Sequence, residues 1–213
     1  MQDIINYSLF AFTSFLALIN PLSVTTVYLT MVTDLNRQQQ RRTALRASIT
    51  AFITLTVFAF AGQLLFKFFG ISVNGFRIAG GIIFFIMGYD MLNAKLSRIK
   101  YSKDDFSQEM NDVSITPLGI PLIAGPGAIT NSIVLMEDAS DNIAMKIALP
   151  IAIAVVLVLT YFGMVAGSRV MKFFGETGNK IMLKLMGLIM MVIAVEFFFA
   201  GLTPILRSIL KIE

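Results

Sequence analysis

Two short stretches of this chain can hold a small charged solute without using a charged side chain. The first is Asn20-Pro21-Leu22-Ser23, followed by Thr25 and Thr26, and the second is Gly125-Pro126-Gly127-Ala128, followed by Thr130, Asn131 and Ser132. Both lie inside strongly apolar segments. Proline removes a backbone donor and clashes with the preceding turn, and glycine loosens the backbone, so a helix entering either stretch is expected to break. A break leaves free N–H groups at the start of the second half-helix and free carbonyls at the end of the first. Half-helices starting near Leu22 and Gly127 offer positive ends to a carboxylate. The carbonyls of residues 19–20 and 124–125 suit an ammonium group or a small cation, and the nearby hydroxyls and amide serve as caps or direct contacts. A single proline in a membrane helix is more often a kink than a site. The pairing of the two stretches, set out below, tips the balance toward a site.

The elements that carry these stretches are membrane helices. Of the 213 residues, 56% are hydrophobic and 14% charged, with a mean hydropathy of +0.79, where soluble domains carry roughly a quarter charged residues. The apolar residues come in blocks of about 20, the length that crosses a bilayer. Six spans are predicted, over residues 5–32, 44–69, 75–92, 117–136, 143–170 and 181–210. The start, MQDIINYSLF, has no basic region and does not read as a cleavable signal. No Cys or His is present, so disulfides, thiolate chemistry, Ser-His nucleophiles and the usual zinc sites are excluded. No metal site, cofactor or enzymatic activity is expected. The net charge of +4 needs no nucleic-acid partner, because the basic residues gather in one set of loops. Twelve Lys and Arg fall in the loops after the first, third and fifth spans, against five on the other side, which predicts that both termini face outside.

The two halves repeat each other. A shift of 105 residues places Pro21 on Pro126, Thr25 on Thr130 and Met31 on Met136, and it places AGQLLFKFFG (61–70) on AGSRVMKFFG (166–175) with six of ten positions identical. A shift two residues longer places RIAGGII (77–83) loosely on KLMGLIM (184–190). Each half holds three spans, so the second enters the membrane from the opposite side. The expected fold is therefore an all-α polytopic membrane protein of two inverted-topology three-helix repeats, with helices 1 and 4 broken. The whole chain forms one transmembrane domain: repeat 1 over 1–95, a linker over 96–115 and repeat 2 over 116–213. Asp90 and Glu196 are the ionisable candidates for a coupling ion. Each stands about 15 residues into its span, roughly 22 Å from the side it enters. Gly80, Gly81, Gly88 and Gly187 are expected to permit close helix packing.

INPLSVTTVYL in the first span, RIAGGIIFFIMGYDML in the third, PLGIPLIAGPGAIT in the fourth and KLMGLIMMVIAVEFFFAGL in the sixth give the chain, over essentially its whole length, a close resemblance to the MarC family of integral membrane proteins. The resemblance implies six spans in a prokaryotic inner (cytoplasmic) membrane. It also implies transport of small neutral amino acids such as glycine and alanine, coupled to H+ or Na+. Asn20, Pro21, Gly125, Pro126 and Gly127 fall on the family's motif positions, while Ser23 stands where members often carry Gly. The residues agree with such a substrate: Gly127 and Ala128 leave little room for a long side chain, and no buried charge near the breaks would pair with a Lys-like or Glu-like one. An exporter of other small metabolites or drugs shares the architecture. An aquaporin-like pore fits less well, since its Asn-Pro-Ala motif repeats on both half-helices and the second copy here is Gly-Pro-Gly.

Overall fold

The computed structural model describes residues 2–32, 35–93, 114–139 and 141–211, and every element among them is helical. The helices are α1 (Gln2–Ile19), α2 (Pro21–Met31), α3 (Arg37–Phe69), α4 (Val73–Leu92), a π-helical segment (Ser114–Ile123), α5 (Pro126–Asp138), α6 (Ile143–Val165) and α7 (Gly167–Leu210). The linker expected over 96–115 lies, up to residue 113, outside the described residues.

Five stretches among the described residues are long and apolar enough to cross a membrane: Gln2–Leu29, Arg37–Gly62, Val73–Leu92, Ile143–Val165 and Lys180–Leu210. The fourth predicted span, 117–136, is not a continuous helix, because it divides into the π-helical segment and α5. The cause is local. Pro121 cannot donate to the Pro117 carbonyl and Pro126 cannot donate to that of Leu122, so the regular i→i−4 ladder is interrupted at both points. The wide turn closes instead with the Ala124 N–H donating to the Gly119 carbonyl, five residues back, at 2.9 Å.

Other boundaries differ from the hydropathy reading for equally local reasons. The second helix starts at Arg37, seven residues before the predicted start, because Asn36 and Gln39 form a reciprocal capping box. It stops at Gly70, which takes the left-handed conformation (φ 65°, ψ 25°) that ends many helices. The predicted polar loop KFFGETGNK is helical apart from Gly175, whose φ of 62° and ψ of 179° divide α7 there.

Two apolar clusters hold the helices together. One gathers Phe15, Ile19, Val24 and Tyr28 of the broken first helix with Leu55, Leu118, Ile123, Leu149 and Ile153 of α3, the π-helical segment and α6. The other joins Ala17 and Leu18 to Phe84, Val134, Met190 and Phe197 of α4, α5 and α7. The most extensive pairing is α4 with α7. It relies on glycine: a Cβ on Gly88 would lie 2.7 Å from the Gly187 carbonyl oxygen, and one on Gly187 would lie 2.8 Å from that of Gly88. Gly81 approaches the Ala194 carbonyl in the same way, at 2.8 Å. The close-packing role expected of these glycines follows directly.

A candidate site where two helix breaks meet

The first break is at Asn20. Its backbone is left-handed (φ 48°, ψ 78°), and its side-chain Oδ1 accepts from the Ser23 N–H at 3.3 Å, which caps α2. Pro21 occupies the first helical position, where its missing donor does no harm to α2. Upstream, however, it deprives the Ala17 carbonyl of its helical donor, so α1 ends with free carbonyls. The second break is at Gly125, which is extended (φ −76°, ψ 170°) and followed by Pro126 at the first position of α5. The half-helices therefore begin at Pro21 and Pro126, one residue before the positions expected from sequence.

The two starts differ in one respect. Among the described residues, no side chain caps α5. Its first residues with a donor, Gly127 and Ala128, are both buried, whereas Pro126 itself is exposed. A buried helix start with unclaimed N–H groups is an anion-binding arrangement.

The breaks face each other. A Cβ built on Gly127 would meet Leu18 Cδ2 at 3.1 Å, with Phe84 Cε1 at 3.2 Å and Met87 Sδ at 3.4 Å. One turn deeper, Asn131 Nδ2 donates to Ser14 Oγ at 2.9 Å. Near the far ends of the two helices, the Tyr7 hydroxyl donates to the Leu135 carbonyl at 2.8 Å. These pairs fix α1 and α5 as antiparallel neighbours, with the end of α1 beside the start of α5. The Ser14 hydroxyl donates to the Ala11 carbonyl at 3.0 Å, so its oxygen accepts from Asn131, and the amide orientation of Asn131 is determined. Asn131 Oδ1 and Asn20 Nδ2 are left as buried polar atoms without a partner among the described residues. Such atoms are rare in folded proteins and call for a reason.

Several expected site residues do not join this arrangement. Leu22 and Ser23 are half-buried. Thr25 is buried, but its hydroxyl donates to the Pro21 carbonyl at 2.7 Å, and the side chain packs toward Gly163 and Gly167 at α6 and the start of α7. Thr130 is buried against Gly80 of α4, where a glycine Cβ would lie 2.5 Å from its methyl carbon. The two threonines matched by the repeat thus point to different neighbours. Asp90 is half-buried, three residues beyond Met87 on α4, while Glu196 is on the exposed face of α7. At the opposite end of α5, Arg77 of α4 forms an ion pair with Asp138.

Ser14, Leu18, Phe84 and Met87 were missed from sequence. Ser14 offered a weak signal, a hydroxyl inside an apolar run, and the other three are ordinary apolar residues of their helices.

The model of the MarC family of integral membrane proteins matches residues 5–206. Among similar proteins is a UPF0056 membrane protein of Pyrococcus horikoshii, 37% identical over 202 residues, covering 95% of this chain and 97% of that one. A second, from Methanocaldococcus jannaschii, is 33% identical over 93% of this chain and 97% of its own. A third, YvbG of Bacillus subtilis, is 34% identical over 92% of this chain and 96% of its own. No solved structure matches. With a match running from the first helix to the last, the chain belongs to the MarC family of integral membrane proteins.

Proposed function

We propose that this protein is a secondary active transporter of small neutral amino acids (glycine, alanine and serine) in a prokaryotic cytoplasmic membrane, coupled to H+ or Na+. In this reading the chain crosses the bilayer six times. The π-helical segment and α5 together make the fourth crossing, both termini face outside, and two inverted three-helix halves alternate access to the solute. The packing supports the inverted halves. Exchanging the halves turns the α3 contact with the π-helical segment and α5 into the α6 contact with α1 and α2. It turns α4 against α5 into α7 against α2, and it leaves α4–α7 and α3–α6 unchanged. All of these pairings occur.

The observation that carries the reading is the uncapped, buried start of α5 beside the end of α1. The Gly127 and Ala128 N–H groups take the substrate carboxylate. The carbonyls that α1 leaves free before Pro21 take its ammonium, and the unpartnered Asn131 Oδ1 and Asn20 Nδ2 complete the polar lining. Leu18, Phe84 and Met87 stand too close to Gly127 for a long substrate side chain. For the coupling ion, position favours Asp90, one turn from the Met87–Gly127 contact, over the outward-facing Glu196.

Uptake of labelled alanine into proteoliposomes, driven by an imposed pH or Na+ gradient, tests the proposal. Saturable uptake that glycine and serine compete with, and lysine and glutamate do not, is expected. Flux linear in concentration would instead make the molecule a pore. Absence of any gradient-driven amino acid flux would leave the breaks to another solute.

A further inference from the structure

Glu196 faces away from the interior that an intramembrane carboxyl is expected to serve. It is the seventeenth residue of the 31-residue span Lys180–Leu210, so it stands near the middle of whatever that helix crosses. Its side chain is exposed, in a stripe with Val192 (56%), Val195 (44%) and Phe199 (57%). A carboxyl against acyl chains is among the least favourable placements for a side chain, and such residues almost always turn toward protein. Val195 and Phe199 of this stripe also line an apolar cleft of about 230 Å³ between α4 and α7, together with Gly81, Phe85, Ala194 and Phe198.

We propose that this face of α4 and α7 is covered by the same face of a second copy of the chain, in a two-fold dimer whose axis passes beside Glu196. A two-fold axis along the membrane normal keeps every residue at its own depth. Glu196 therefore meets only partner groups at mid-span. Among the described residues, the basic side chains that reach furthest into the crossing helices, Arg46, Lys67, Arg77, Lys146, Lys184 and Arg207, stand toward span ends, and Asp90 is third from the end of α4. What remains at that depth is the partner's Glu196. With one proton between them, one carboxyl donates to the other, and neither is left against lipid. The glycine and alanine that line the cleft let the partner's apolar side chains sit close to the backbone.

The chain has no cysteine, so single cysteines report cleanly. Val192→Cys on the proposed face and Val158→Cys on the exposed face of α6 are compared by disulfide formation in proteoliposomes as lipid is added. Val192→Cys is expected to give a linked dimer that survives lipid dilution, and Val158→Cys is not. In the Val192→Cys background, Glu196→Gln keeps the dimer because an amide pair still hydrogen bonds, and Glu196→Ala lowers its yield about tenfold. Single copies at every lipid ratio, linkage through Val158→Cys instead, or undiminished association of Glu196→Ala would overturn the proposal.

Discussion

Asn131 donates from its side-chain amide to the Ser14 hydroxyl oxygen across 2.9 Å, where neither side chain reaches the surface. This bond ties α5 to α1 one turn from where the two breaks meet, and it fixes which face of Asn131 is left free. The local order that the site requires therefore depends on a polar pair set in an otherwise apolar contact.

Removing one member of that pair strands the other. Ser14→Ala is expected to destabilise the protein by about 1–3 kcal/mol, the desolvation of a buried amide left without a partner. Ser14→Ala with Asn131→Leu is expected to recover part of the loss, since both polar groups are then gone. Apparent melting temperatures of the two single variants and the double variant check this. Strictly additive losses would show that the bond contributes nothing.

At Gly127 the question is space. A Cβ would stand 3.1–3.4 Å from Leu18, Phe84 and Met87, a tight fit that flexible side chains can relieve by small shifts. Gly127→Ala is therefore expected to fold and to keep amino acid binding, weakened. Gly127→Val adds two further methyl groups beside the free N–H groups and is expected to fold with a loss of about 1–3 kcal/mol from overpacking, while binding no amino acid. Equal binding by the valine variant would place the substrate elsewhere.

Gly88 and Gly187 meet backbone, which cannot yield as a side chain does. Gly88→Ala is expected to separate α4 from α7 and lower the melting temperature by several degrees. Gly75→Ala, whose added Cβ would meet only the Ser72 hydroxyl oxygen at 3.0 Å, is expected to cost much less. Similar melting of both variants would contradict the close α4–α7 approach.

The Arg77–Asp138 pair gives a pH signature. Burial pushes the Asp138 carboxyl above its ordinary range, and the Arg77 guanidinium pulls it back down. Without Arg77 the carboxyl is raised further. An acid with a raised folded-state pKa stabilises the fold in its protonated form, so stability falls as pH rises through that value. Arg77→Met is thus expected to be destabilised relative to the unsubstituted protein at neutral pH, with the gap closing as pH falls toward the ordinary carboxylate range. A gap independent of pH would remove Asp138 from the explanation.

The breaks were legible in sequence because proline and glycine act through the backbone: Pro21 and Pro126 each sit at a first helical position whatever surrounds them. Asn20 and Asn131 were legible as candidates, but their roles were not. Asn20 as a left-handed cap depends on its own turn, and the bond of Asn131 depends on a serine 117 residues away in the chain. Hydropathy found the long spans and missed Arg37 as a helix start, since a capping box is a polar signal. The fourth span was expected to break at its Gly-Pro-Gly and does so at Gly125, but the π-helical form of the segment before it was not read. The outward face of Glu196 could not be read at all, because which side of a uniformly apolar helix meets protein is decided by its neighbours.

A zwitterion held between the start of α5 and the end of α1 stabilises the folded protein. Thermal stabilisation of the purified protein across a panel of amino acids, with and without sodium, tests it most directly, because a ligand of the folded state raises the apparent melting temperature by mass action. A rise is expected with glycine, alanine or serine, none with lysine or glutamate, and the rise is expected to be lost in Gly127→Val. No rise with any amino acid in either salt would contradict it and leave the breaks at Asn20 and Gly125 as bends in the helices.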